Sequence, residues 1–238
     1  MTHGPGAGDD EDGRQGRLTR ERVLAAALDL VDREGLPALT MRRLGAELGV
    51  EAMSLYRYAP GKDALLDGVL EALHLELEDR LTRGPAPRPA PGVPAWRAEL
   101  HRIARLTYQV CLDHPEGALL VFSRMTGVPL ARRSAAVLRR DEQVLALLRD
   151  AGYGEARSVR LWRAFTGWVL GYVSVELRAV VDNPAEPDPA FRLGLYRMPF
   201  QELPVLRATA PALAERGGPE QLARGLDALL DRFTGKEG

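Results

Sequence analysis

Apolar side chains recur at helical spacing along most of this chain, and turn residues cut the pattern into segments. Between Thr19 and Glu34, Val23, Ala27, Leu30 and Val31 form one stripe, and Gly35 and Pro37 close the segment. From Thr40 to Lys62 there is room for two short helices around one Gly-centred turn. The Thr40 hydroxyl is placed to accept from the free N–H groups of the first of them, and Leu44 and Leu48 fall on a single face of it. Gly49 supplies the left-handed residue that stops it. The second starts near Glu51, with Leu55 pointing back at the first helix and Ala52, Met53, Tyr56 and Arg57 turned outward. That arrangement predicts a helix-turn-helix, whose outer positions meet base edges in the major groove. A fourth helix is predicted from the Pro60-Gly61 break to about Leu81, carrying Leu65, Leu66, Val69, Leu70, Leu73 and Leu77 in helical spacing.

Beyond it, Arg83 to Pro94 holds five prolines and two glycines, a composition that excludes helix and predicts a stiff, exposed connector. Helix-length periodicity then returns over Trp96–Asp113, Pro129–Asp150, Gly154–Val181, Leu203–Arg216 and Pro219–Phe233. No segment shows the sustained alternation of a strand. The fold class predicted is all-α: an N-terminal three-helix head with the helix-turn-helix, joined by the fourth helix to a C-terminal helical domain. The boundaries follow as a disordered, Gly- and Asp-rich tail over 1–17, the head and connecting helix over 18–82, the Pro-rich connector over 83–94 and the second domain over 95–238. The tail has no apolar core, so it is not a signal peptide. A long proline-rich loop, 182–199, is expected to act as a lid or a mobile segment.

A hydrophobic residue just before a helix often packs on one in its first turn. Leu39 with Leu44, Val50 with Leu55 and Leu18 with Val23 all have that spacing, so the same device recurs at three helix starts. At 238 residues the chain is long enough for a second core beside a DNA-reading head. The formal net charge of −1 carries no global nucleic-acid signature, so affinity for DNA has to come from a local patch. Between Thr40 and Lys62, Arg42, Arg43, Arg57 and Lys62 stand against Glu47 and Glu51, an excess of two positive charges. The one cysteine, Cys111, excludes an internal disulfide and fits a reducing, cytoplasmic setting. It lies in an apolar stretch, as a buried and inert thiol would. The most apolar run, Ala164 to Val175, is too short to span a bilayer, so no membrane is expected as a partner.

Thr40-Met41-Arg42-Arg43-Leu44, Leu48-Gly49-Val50, Leu55-Tyr56-Arg57-Tyr58 and Gly61-Lys62-Asp63-Ala64-Leu65-Leu66 together resemble the Tet repressor (TetR) family of transcriptional regulators. The resemblance runs from about Leu18 to Leu73. It departs from the commonest pattern at Glu51, where most members carry Ser or Thr. It implies DNA contact by Thr40, Arg42 and Arg43 at the first reading helix, by Ala52, Met53, Ser54, Tyr56, Arg57 and Tyr58 on the recognition helix, and by Lys62 on phosphate. Arg57 alone of the recognition residues can grip a guanine edge with two hydrogen bonds, and Ala52 and Met53 suit a thymine methyl. Packing or phosphate contact is an equal alternative for Tyr56 and Tyr58, and an ordinary solvated surface is the alternative for Arg42 and Arg43.

Trp96-Arg97-Ala98-Glu99-Leu100 followed by His114-Pro115 and two long helices resembles, more loosely, the family's ligand-binding and dimerisation domain. The resemblance implies a homodimer on a palindromic double-stranded DNA operator, released by a small-molecule effector. His101, Arg105 and Tyr108 are offset so as to share a face and place polar groups in an apolar cavity. Trp162, Phe165, Trp168 and Tyr172 form an aromatic stripe that suits a core or dimer seam better than a ligand box, though it is kept as a pocket candidate. Leu222, Leu226, Leu229, Leu230 and Phe233 give the last helix an apolar stripe, assigned to the dimer interface. The readings from other classes are an enzyme, or a helical scaffold that keeps the fold without binding DNA. One Glu-x-x-His, Glu71 to His74, has the spacing of a di-iron bundle, which needs two such pairs and further glutamates. There is no phosphate-cradling Gly-rich loop, nucleophile motif or Cys/His cluster at zinc spacing, so no catalytic residue, metal or cofactor is expected.

Overall fold

The computed structural model describes residues 18–125, 129–181, 199 and 201–235. The expected tail over 1–17 and nearly all of the loop over 182–199 lie outside the described residues. Those residues include ten α-helices: α1 (Arg20–Glu34), α2 (Met41–Leu48), α3 (Ala52–Leu55), α4 (Lys62–Arg83), α5 (Ala95–Asp113), α6 (Pro115–Met125), α7 (Ala135–Asp150), α8 (Glu155–Val181), α9 (Pro204–Ala214) and α10 (Gly218–Thr234).

The head forms as its sequence dictates. Thr19 and Thr40 cap α1 and α2, their hydroxyls accepting from Arg22 N at 3.2 Å and Arg43 N at 3.1 Å. Gly49 sits at φ 68° and ψ 29°, the left-handed turn that redirects the chain into α3. Leu39, Leu44, Leu55 and Val23 are fully buried, and Leu18 and Val50 pack on the same core, which closes all three staples. Two differences from expectation stand out. α3 is a single turn ending at Leu55, so Arg57 and Tyr58 lie in the turn that follows it. α6 was not expected, because its first residues, such as Ala118 and Leu120, are buried without leaving a polar face to mark a helical period.

Two apolar cores result, with α4 and the adjoining α5 and α6 between them. One gathers α1 to α4 and takes Val110 from α5 and Leu120 from α6. The other is built by α5, α6, α7, α8 and α10 around Leu100, Leu148, Leu161, Val173, Leu177 and Leu226. Each such leucine contributes roughly 1.5–3 kcal/mol by leaving water. Connections over 84–94 are non-helical, as the prolines require.

The angle between α2 and α3 rests on Gly45. A Cβ there would stand 2.8 Å from the Val50 carbonyl oxygen and 3.2 Å from Ala52 N, both backbone atoms that cannot swing aside. Gly45→Ala should therefore cost about 1–3 kcal/mol through overpacking, seen as a lower melting temperature by circular dichroism, with operator binding lost alongside. Wild-type melting and binding in that variant would show that the approach of the two helices is not tight.

Candidate nucleic-acid interface

The outer surface of α3 and its following turn is open to solvent. Met53 is 75% exposed and Tyr56 44%, far above the level of any nearby apolar residue, while Leu55 between them is fully buried. Two large side chains held in water by a buried neighbour are an arrangement for meeting something else. Ser54, Arg57 and Lys62 are exposed on the same end of the molecule, and Ala52 is half-buried. The Arg57 guanidinium lies 4.7 Å from the centroid of the Tyr58 ring, which restrains it without using its donors. Tyr58 is half-buried and donates to the Leu18 carbonyl at 2.6 Å, so its hydroxyl ties the recognition turn to the start of α1. Arg42 is exposed, whereas Arg43 pairs with Glu34 and, at 3.0 Å, with Glu47, which also pairs with Arg33 at 2.8 Å. Lys62 opens α4, where the helix N-terminus adds its own attraction for phosphate.

Behind the head lies a cavity of about 130 Å³ between α4, α5, α7 and α8. Its walls are mainly Leu70, Leu73, Leu77, Ile103, Val144 and Phe165. One end is polar, with His74, Ser134, Arg140 and Asp141. Burial holds His74 below the usual histidine range, and its Nδ1–H donates to the Leu70 carbonyl at 2.9 Å. Burial also lifts Asp141 above the usual carboxylate range and lowers Arg140 to about 10, still charged at neutral pH. Cys111 lines the wall as an inert thiol, pushed up to about 12 by burial. Glu71 turns away and pairs with Arg20 at 2.6 Å, so the Glu71–His74 spacing does not converge on one site.

The joint between head and cavity is ionic. His114, at the break between α5 and α6, presents Nδ1 to Asp32 of α1 at 2.5 Å and Nε2 to Glu76 of α4 at 2.7 Å. Carboxylate oxygens only accept, so the ring satisfies both when it carries both protons. The hydrogen bond to Asp32, with the charges of Asp32 and Glu76, raises its pKa above the usual histidine value.

Two family models match this chain. Residues 23–69 fit the bacterial regulatory proteins of the tetR family, and residues 88–232 fit the tetracyclin repressor-like C-terminal domain. The chain belongs to the TetR family. Among its relatives, an HTH-type transcriptional regulator of Saccharopolyspora erythraea is 38% identical over 159 residues, covering 67% of this chain and 61% of the relative. The HTH-type transcriptional repressor DrrR1 of Streptomyces coeruleorubidus is 39% identical over 161 residues, covering 67% and 54%. The chain thus aligns with less than two thirds of the length of these two relatives. The crystal structure of the Streptomyces coelicolor TetR-family protein ActR in complex with actinorhodin superposes with a TM-score of 0.66 at 25% identity, covering 92% of this chain and 96% of that one.

Within this TetR-family frame the structure does not bring together all the residues assigned to a pocket. Trp162 and Phe165 line the cavity. Trp168 and Tyr172 turn from it to α10, donating to the Leu222 carbonyl at 3.1 Å and the Gly218 carbonyl at 2.7 Å. Tyr108 faces away as well and donates to buried Glu176 at 3.1 Å. His101 and Arg105 lie on an outer groove beside the connector, with His101 Nε2 2.8 Å from Asp227. The reason is rotational: α5 presents Ile103, Thr107 and Cys111 to the cavity, which carries 101, 105 and 108 elsewhere. The stripe assigned to the dimer interface packs largely within its own chain. Leu222, Leu226 and Leu230 are buried in the core of their own chain, Leu229 packs beside them, and Phe233 is 36% exposed. Ser134, Arg140 and Asp141 were missed, and His74 was read only as half of a Glu-x-x-His spacing, since isolated polar residues on apolar helices carry no signal for a cavity.

Because the folded His114 pKa is raised, its stabilisation is complete below the unfolded value near 6.5 and is lost as pH rises through the folded value. His114→Asn should cost about 1–3 kcal/mol in urea unfolding at pH 6, and the difference from wild type should shrink on going to pH 9. A difference independent of pH would show that the ring holds the joint by packing alone.

Proposed function

We propose that this TetR-family chain is a ligand-responsive transcriptional repressor that acts in the cytoplasm, binding a palindromic operator as a homodimer and leaving it when a small molecule fills the cavity. One observation carries the reading. α4 begins with Lys62 at the DNA end and, farther along the same rod, lines the cavity with Leu70, Leu73, His74 and Leu77. Whatever enters the cavity therefore pushes on the helix that positions the head. The head over 18–82 serves DNA, and the helices from 95 onward serve effector and pairing. ActR, solved with a small molecule bound, supports the ligand-responsive half.

In this reading Thr40, Arg42 and Lys62 hold phosphates, and Ala52, Met53, Ser54, Tyr56 and Arg57 face the major groove. Arg57 supplies the bidentate grip on guanine. Tyr58 and Arg43 act from behind, one bracing the recognition turn and the other joining α2 to α1 through Glu34. A single head reads only a half-site, so two-fold pairing is needed to read a palindrome. Pairing is assigned to the outer face of α8, where Gly167, Gly171 and Val175 are exposed at intervals of four residues. A Cβ on either glycine would meet open space, and Val175 is 69% exposed, so a second helix can approach closely. Effector and operator favour different spacings of the two heads, so each weakens the binding of the other reciprocally.

In a binding-site selection started from DNA flanking the chain's own gene, wild-type protein should enrich a palindrome. Arg57→Ala should relax the preference at one base pair of each half-site by about 1–3 kcal/mol. No enrichment by the wild type, or an unaltered preference in the variant, would refute the DNA-reading assignment. In sedimentation at micromolar concentration the wild type should run as a dimer and Gly171→Arg as a folded monomer, and a dimer in both would move the seam off α8.

A further inference from the structure

The polar end of the cavity carries a charge that the protein itself leaves unmet. Arg140 Nη2 and Ser134 Oγ are closed off from solvent and have no hydrogen-bond partner. Leaving a buried donor empty costs about 1–3 kcal/mol, more where the group is charged, so such atoms mark the place of an absent acceptor. The remaining side of the guanidinium, Nη1, donates at 3.1 Å to Gln143, a neutral group. The acids whose charge reaches Arg140 are engaged elsewhere. Glu99 accepts from Arg102 at 2.8 Å and 2.7 Å, and Glu78 accepts from Arg139 at 3.1 Å.

Asp141 is the competing charge at this end, and unlike Arg140 it has a charged partner. Its Oδ1 accepts from Trp162 Nε1 at 3.2 Å, and its Oδ2, which has no hydrogen bond, lies 3.7 Å from Arg133 Nη1. Burial moves its carboxyl toward the neutral form, whereas Arg140 at about 10 keeps its proton. The field left over at the polar end is positive. His74 limits what else fits. With Nδ1 donating to Leu70 and burial keeping the ring neutral, Nε2 is a bare acceptor, which suits a hydroxyl and repels a second anionic oxygen. The rest of the wall is mainly aliphatic and aromatic, with Asp67, Thr107, Arg132, Arg133 and Thr166 among it, and a volume of about 130 Å³ is close to that of an apolar cavity known to hold one benzene ring.

We propose that the effector is an organic monoanion, a compact ring-bearing apolar body with one carboxylate, phenolate or enolate oxygen seated on Arg140 Nη2 and Ser134 Oγ. The assignment rests on reading this cavity as the effector site. A body of more than one ring enters only as α7 moves away from α4 and α8, which couples ligand size to displacement of α4.

Matched pairs of benzoate, 1-naphthoate and 2-anthroate with their methyl esters test both parts, using the full chain in titration calorimetry and in fluorescence anisotropy on operator DNA. Each acid that binds should do so about tenfold or more tightly than its ester. Arg140→Gln should bring that ratio to about one while keeping the ester affinity, which also shows that the variant is folded, and Arg140→Lys should keep part of the preference. Esters binding as well as acids, a preference that survives Arg140→Gln, or no binding by any pair would overturn the proposal. Acids that bind with an Arg140-dependent preference yet leave operator affinity unchanged would uphold the ligand class and remove the cavity from the regulatory site.

Discussion

α4 has to satisfy two cores at once, and most of the architecture follows from how it does so. Leu65, Val69, Ala72, Leu73 and Leu77 are buried against the head, while Leu70, Leu73, His74 and Leu77 form a wall of the cavity in the second core. At 1.5 Å per residue its 22 residues span about 33 Å, so it reaches from the DNA-facing end deep into the C-terminal domain. A helix apolar on most sides cannot rotate or slide without uncovering one core or the other. Its freedom is reduced to tilting, and the apolar cavity leaves room for one.

The remaining helices of the second domain are fixed by charge as much as by packing. Arg97 of α5 pairs with Asp227 and Asp231 of α10 at 2.8 Å and 2.6 Å. Glu176 of α8, almost fully buried, accepts from the first amides of α10, Gly217 N at 3.0 Å and Gly218 N at 3.2 Å, where the helix dipole favours a carboxylate. With Tyr108 as a third donor, that carboxylate is satisfied and α8, α10 and α5 are locked together. α7 meets α8 through the Asp141 carboxylate, which accepts from Trp162 Nε1 at 3.2 Å. Its polar residues at the cavity, Ser134, Arg140 and Asp141, also retain unpartnered atoms. Charge pairing thus holds α5, α8 and α10 to one another, and the unpartnered polar atoms gather on the α4–α7 side of the cavity.

How much of this could be read from residues alone depends on whether the signal was local. Caps, staples and the left-handed Gly49 are written within a few positions of one another, and each of them formed as expected. The length of α3 was overread, because Tyr56 to Tyr58 has helical spacing but ends in a turn secured by a long-range bond from Tyr58 to Leu18. The C-terminal domain was harder, since helix rotation there is decided by partners far away in sequence. An aromatic stripe at 162, 165, 168 and 172 looks continuous, yet packing divides it between cavity and α10. Leu222, Leu226 and Leu230 form a stripe that periodicity finds but cannot direct, and the structure turns it into its own core. Gly45, whose missing side chain sets the reading angle, gave no sequence signal, because the carbonyl it accommodates belongs to a separate turn.

Two knobs of α1 sit in sockets that have no side chain of their own. Leu24 rests where a Cβ on Gly68 of α4 would stand 2.4 Å from its Cδ2, and Leu28 rests where one on Gly117 of α6 would stand 2.8 Å from its Cδ1. A leucine seated directly on a neighbour's backbone has no intervening rotamer that can yield. Whatever tilts α4 is therefore handed to α1 with no slack, and the head travels as one stiff piece, so a displacement of α4 changes where its outer surface stands and not its shape.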